Sequence, residues 1–147
     1  MLFRSGVRGM RLRSAEDGVV SADVARDDAV LLFVSASGHG KRTPVGTFNR
    51  QGRGGQGVRG MRVTAERGAV VSALTIDPGA EVLVFSSSGN IVRVPADEIS
   101  EQGRAATGVR VARPGEGESV VAVARVLEGD RDDEGGPDDE GGDDDAG

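Results

Sequence analysis

A chain of 147 residues with 24 Gly, four Phe and no Cys, Trp or Tyr has room for one ordinary domain, whose core must come from Val, Leu, Ile and Ala in many short segments. That composition excludes disulfide frameworks, zinc–thiolate sites and thiol catalysis, and a single His excludes a histidine metal cluster. The net charge of −6 averages two unlike stretches: residues 1–127 hold 17 Lys and Arg against 13 Asp and Glu, whereas residues 128–147 hold 11 acids against only Arg131.

In chain order, residues 1–5 carry no assignable pattern. The hexapeptide G-V-R-G-M-R then stands at Gly6 to Arg11 and again at Gly57 to Arg62, an offset of 51. At the same offset Val19-Val20-Ser21-Ala22 falls on Val70-Val71-Ser72-Ala73, Ser35-Ala36-Ser37-Gly38 on Ser86-Ser87-Ser88-Gly89, Pro44 on Pro95, and Gln51-Gly52-Arg53 on Gln102-Gly103-Arg104. A third copy opens with Gly108-Val109-Arg110 and reaches its apolar run at Val120 to Val123. The predicted organisation is a first repeat over 6–56, a second over 57–107, a partial third over 108–127, and an acidic tail over 128–147.

Each repeat reads as four short strands. In the first they are Val19 to Ala25, Val30 to Val34, Lys41 to Val45, and the Gly-Val-Arg-Gly-Met-Arg segment at the repeat junction. No 11-residue window keeps a helical period free of Gly or Pro, so the predicted class is all-β with antiparallel four-stranded, propeller-like blades. A fragment of about two blades cannot close a ring and leaves open edges. The tail has too little apolar surface to offset its ordering entropy and is predicted to be disordered. Asp130, Asp132 and Glu134 before Gly135 imitate a calcium loop, but its twelfth position is Gly141.

Other motifs fail on context. Gly52-Arg53-Gly54-Gly55-Gln56-Gly57 satisfies the dinucleotide glycine pattern and Asp77 lies 20 residues beyond it, yet no helix can follow. Gly40-Lys41 lacks the rest of a P-loop. His39, in a Ser-Gly-His-Gly stretch, has no catalytic partner beside it and reads as an exposed turn residue or a minor phosphate contact. No apolar run approaches the roughly 18 residues of a membrane span, and the first residues lead into no signal-like apolar region, so a cytoplasmic location is expected.

The cations are the informative set. Duplex backbone is bound by Arg and Lys with release of counterions, and by amides that glycine leaves accessible. Lys41 and Arg42 beside a Gly-rich turn, and Arg53 followed by Gly54 and Gly55, offer both elements. The repeat sets Arg8, Arg59 and Arg110 in equivalent positions, and likewise Arg11 and Arg62. With Arg93 and Arg104 in the second repeat, these residues are the candidate DNA contacts. Isolated arginines also solubilise a surface, but periodic ones suit a curved, sequence-tolerant track for bent duplex. The scarcity of aromatic residues disfavours stacking on single strands. A tethered acidic tail would compete with DNA for that track.

The combination G-V-R-G-M-R-L, D-G-V-V-S-A, S-G-H-G-K-R-T-P-V at Ser37 to Val45 and Q-G-R-G-G-Q-G at Gln51 to Gly57, continued from Ile91 to Arg110, resembles the C-terminal domain of the DNA gyrase A subunit. The topoisomerase IV A subunit has a similar, more degenerate domain, and a protein-interaction scaffold without DNA activity is the alternative from another class. The resemblance implies a β-pinwheel with strands exchanged between blades. It also implies duplex wrapping that supports ATP-dependent negative supercoiling by a holoenzyme of A and B subunits, in the cytoplasm at the nucleoid. The implied partners are double-stranded DNA, the B subunit, and the remainder of the A subunit, with no membrane and no small-molecule substrate. No cofactor is implied for this chain, since the ATP and magnesium chemistry belongs to other domains or subunits. The family's cleavage step uses a Tyr, which this sequence lacks, so the chain alone is not expected to be an enzyme. The family box is Q-R-R-G-G-K-G; Gln51 to Gly57 lacks two of its charges, and Gln102 to Gly108 is more degenerate still, with Arg104 alone basic.

Overall fold

A computed structural model describes residues 6–126. The acidic stretch, with its predicted disorder, its calcium-like loop and its competition with DNA, lies outside the described residues. Among those residues there are seven strands, two single-turn 3-10 helices and no α-helix: β1 (Val30–Ser35), β2 (His39–Pro44), β3 (Val70–Ile76), β4 (Glu81–Ser86), β5 (Ile91–Pro95), β6 (Val109–Arg110) and β7 (Val120–Arg125). They form a four-stranded sheet in the order β3-β1-β2-β6 and a three-stranded sheet in the order β5-β4-β7, with every neighbouring pair antiparallel. The all-β, blade-like architecture is therefore as expected.

Each blade is built on a hairpin, β1–β2 or β4–β5, closed by the same turn. Gly38 donates its amide to the Ser35 carbonyl at 3.0 Å and Gly89 to the Ser86 carbonyl at 3.0 Å. Both glycines have positive φ, 84° and 89°, a conformation in which a Cβ strains against its own backbone. The third strand of each blade comes from the following repeat: β3 pairs with β1, and β7 pairs with β4, each with a register irregularity at the repeat-equivalent pairs Val34/Ser35 and Phe85/Ser86. This is an exchange of strands between blades. The core joins both sheets through Leu32, Val34, Ile76, Val82, Val84 and Val120, all at most 2% exposed.

Two predicted strands take a different form. Val19 to Ala25 is extended but belongs to no sheet, and Val19, Val20 and Val24 are 59–77% exposed. The position beside β1 that its composition suits is held by β3, so the segment lies along the outer edge of β3 and bonds it through side chains. The Ser21 hydroxyl accepts from the Ala73 amide at 3.2 Å and donates to the Ala73 carbonyl at 3.1 Å, while the Asp23 carboxylate accepts from the Thr75 amide at 3.0 Å. Arg125 of β7 completes this cap, donating to the Thr75 carbonyl at 2.8 Å and to Asp23 at 3.0 Å. The Thr75 and Val24 amides, together with Arg125, hold the Asp23 carboxyl below its usual range. Of the three Gly-Val-Arg segments, only the third forms a strand, β6; the first makes a single bridge at Met10 and the second none.

Candidate nucleic-acid interface

At each repeat junction a main-chain hydrogen bond joins the hexapeptide to the Gly-rich box that follows it, and at the first junction the two segments form a parallel bridge at Met10 and Gly55. At the first, Arg11 donates its amide to the Gly55 carbonyl at 2.9 Å and Gly54 donates to the Gly9 carbonyl at 2.9 Å. One repeat later, Arg62 donates its amide to the Ala106 carbonyl at 3.0 Å, the same contact displaced by 51 residues at both ends. The segment carrying Arg8 and Arg11 therefore runs beside the box carrying Arg53, and the segment carrying Arg59 and Arg62 beside the box carrying Arg104. Arg8, Arg11, Arg53, Arg59 and Arg62 are exposed, and none forms an ion pair among the described residues. At the second junction Arg59 and Arg62 line an open depression of about 580 Å³ together with Met61, Val63 and Ala105. Arg104 is half-buried, its guanidinium 5.9 Å from the centre of the Phe48 ring. Arg110 is exposed on β6, opposite His39.

The remaining predicted contacts are placed elsewhere. Lys41 is fully buried: its ammonium donates to the Gly103 carbonyl and sits 5.6 Å from the centre of the Phe33 ring, and burial pushes its pKa down. A group with no exposed surface cannot reach a phosphate, which corrects its reading as a surface contact. Arg42, next along β2, points the other way but is 17% exposed. Its Nε donates to the Ile99 carbonyl at 2.6 Å, and its terminal nitrogens lie 3.4 Å from the Asp97 carboxylate and carbonyl. Arg93 is engaged by Glu81 within the β4–β5 hairpin. The Gly54 amide is taken by Gly9 and the Gly55 carbonyl by Arg11, so these two groups join main chain to main chain, and Gly54 supplies the positive φ of 75° at that contact.

His39 is the first residue of β2, half-buried, with Nδ1 2.9 Å from the Ser37 hydroxyl, so it is not the exposed turn residue expected. Burial, then Arg67 and Arg110, hold its pKa below the usual value against a smaller opposing influence of Glu66. Sequence reasoning missed three exposed cations that stand outside any ion pair among the described residues, Arg13, Arg50 and Arg113. Arg113 was findable, because it continues the series Arg11, Arg62 at the same offset of 51. Arg67, also passed over, is structural: its guanidinium donates to the carbonyls of Thr107 and Gly108 and ties β6 into the blade.

A family model described as the DNA gyrase C-terminal domain, a β-propeller, matches residues 4–26, 29–77 and 80–126. Over 128 residues the chain is 38% identical to the DNA gyrase A subunit of Mycobacterium leprae, covering 87% of this chain and 10% of that protein. Over 132 residues it is 39% identical to the DNA gyrase A subunit of Staphylococcus aureus, covering 88% and 15%. This chain therefore spans only a small part of the length of these relatives. A solved structure of a DNA gyrase A C-terminal domain superposes with a TM-score of 0.66 at 29% identity, over 69% of this chain and 35% of that one. The C-terminal domain of a DNA topoisomerase IV superposes with a TM-score of 0.75 at 21% identity over 83% of this chain and 38% of that one, a likeness of fold. Blades that exchange strands, junctions that recur at 51 residues and a family match running through both repeats lead to one conclusion: the chain belongs to the family of DNA gyrase A C-terminal β-propeller domains.

Proposed function

We propose that this chain binds duplex DNA without strong sequence preference along the arginines of its repeat junctions and bends the duplex over successive blades. In this reading it serves negative supercoiling by a gyrase holoenzyme, in the cytoplasm at the nucleoid, where its partners are a B subunit, plus the remainder of an A subunit. The observation that carries it is a recurring contact: Arg8, Arg11 and Arg53 are repeated, 51 residues on, by Arg59, Arg62 and Arg104, and the Arg11–Gly55 main-chain hydrogen bond between hexapeptide and box recurs as Arg62–Ala106. Cations held at a fixed spacing by backbone geometry neutralise phosphates at a fixed spacing, and they carry no base-reading geometry. Arg110 and Arg113 extend the series, while Lys41, Arg42 and Arg93 are taken up by contacts within the blades. Lacking a Tyr, the chain contributes binding and not the phosphodiester cleavage that the family assigns to that residue.

The test is ligation of nicked circular DNA in the presence of the purified chain. Wrapping leaves a change in linking number after ligation that grows with protein and disappears when Arg53 and Arg59 become Glu. Straight binding leaves the linking number unchanged. Retention of full binding by that double variant would remove the junction arginines from the interface.

A further inference from the structure

The two blades differ in how they end. In the first, the outer edge of β2 is covered by Gly108-Val109-Arg110, with Arg110 opposite His39 and Val109 opposite Gly40. In the second, the outer edge of β5 has no strand beside it among the described residues, and Ile91 and Val92 are 57% and 46% exposed. An identical tripeptide stands open in the same molecule: Gly6-Val7-Arg8 is exposed, with Val7 at 71%. In the other copy Gly57-Val58-Arg59 is exposed too, with Val58 at 42%, but the residues directly after it are fixed in the first blade, since Met61 is buried and Gly60 abuts the Phe33 ring.

We propose that β5 takes Gly6-Val7-Arg8 of a second copy of this chain as an added strand, so that copies associate head to tail. The β2–β6 pair supplies the register, Arg8 opposite Asn90 and Val7 opposite Ile91. Two size and charge relations fit this occupant. In the first blade Gly40 is forced to be small, because a Cβ there would lie 2.5 Å from the Phe33 carbonyl oxygen and 2.9 Å from a methyl of Val111. In the second blade Gly40 is replaced by Ile91, and the residue of the incoming segment equivalent to Val111 is Gly9, so the large and small partners exchange sides. The charge relation follows from the pairing of side chains on one face of a sheet. Arg8 would stand opposite Asn90 as Arg110 stands opposite His39, a residue on which both Arg110 and Arg67 act electrostatically; the second blade has Glu118 at the position of Arg67, 51 residues on. Glu118 lines an open groove of about 300 Å³ beside Asn90, Val92 and Val120. Arg110 shares the surroundings of His39 with a cation in the first blade, whereas Arg8 would have a carboxylate in the equivalent place. Such a contact is heterologous, using two different surfaces of each copy, and the added strand gains main-chain bonds that β5 leaves unmade.

Sedimentation velocity of the full chain over a range of concentration tests this without DNA, so its outcome is separate from that of the proposed function. The wild type is expected to associate as concentration rises. Val7→Pro removes a strand donor and is expected to weaken association about tenfold or more. Arg8→Glu and Glu118→Arg each weaken it, and the chain carrying both regains it, because residue 8 of one copy meets residue 118 of the next. A Val7→Pro chain mixed with an Ile91→Lys chain is expected to stop at a heterodimer, which also verifies that each variant is folded. A wild type that stays monomeric at all concentrations, or association indifferent to Val7→Pro and without charge-swap recovery, overturns the proposal.

Discussion

The β1–β2 and β4–β5 blades descend from one repeat yet are stabilised differently. Position 33 is Phe in the first and its equivalent, position 84, is Val; position 41 is Lys and its equivalent, 92, is Val. The first blade is filled from within: Phe33 packs on Gly60 and lies 6.3 Å, centre to centre, from Phe48, and the Lys41 ammonium over its ring ties down Gly103 of the next box. The second blade has smaller side chains at these positions, and its edge strand exposes Ile91 and Val92. A cation that looks like part of a DNA-binding surface in sequence is thus an internal fastener, one whose counterpart the next repeat dispenses with.

The largest expected separation between the blades is in packing. Phe33→Ala should cost about 3–5 kcal/mol in a urea titration, against about 1.5–3 kcal/mol for Val84→Ala. Equal losses would mean that Phe33 does not organise its blade. Glycine substitution sharpens the contrast next. Gly108 has φ +86° and a Cβ there would lie 2.7 Å from the Gly40 carbonyl oxygen, whereas Gly89, at φ +89°, has nothing within 4 Å of such a Cβ. Gly108→Ala should therefore lose more than the about 1–2 kcal/mol that positive φ alone costs Gly89→Ala, and hydrogen exchange should show β6 released from β2.

Lys41→Met follows. The ammonium has one carbonyl acceptor and an aromatic face in a fully buried site, so a flexible apolar side chain of similar length should leave Tm unchanged or raised. A large drop in Tm would show that the charge itself stabilises the blade. The smallest effect is in pH. Because the folded state holds the His39 pKa below 6.5, the unfolded chain takes up this proton first on acidification. The His39 contribution is then complete above about pH 6.5 and declines as pH falls below it. His39→Asn, which installs the residue the second blade has at Asn90, should flatten stability against pH in that window.

Much of the fold was legible because the sequence repeats. The 51-residue offset located both hairpins, both glycine turns and the three β-rich runs, and the turn at Ser35–Gly38 recurs at Ser86–Gly89 with the same hydrogen bond. What escaped is what depends on distant partners. Val19 to Ala25 has a strand's composition, but strand exchange gives the place beside β1 to β3, and only Ser21 and Asp23 reach across to bond it. Lys41 is adjacent to Arg42 and equally charged; nothing local shows that its acceptor lies 62 residues away. At the junctions Arg8, Arg53 and Arg59, each next to at least one glycine, are exposed as the sequence suggests.

The central claim is that the exposed junction arginines, and not the cations built into the blades, meet duplex phosphates. It is tested most directly by the salt dependence of duplex affinity for the wild type and for a chain with Arg8, Arg53 and Arg59 changed to Ala. The slope of log K against log salt should become shallower by about 0.9 for each phosphate no longer neutralised, while Lys41→Met should leave it unchanged. A triple variant with the wild-type slope, or a Lys41→Met chain with a shallower one, would contradict the account.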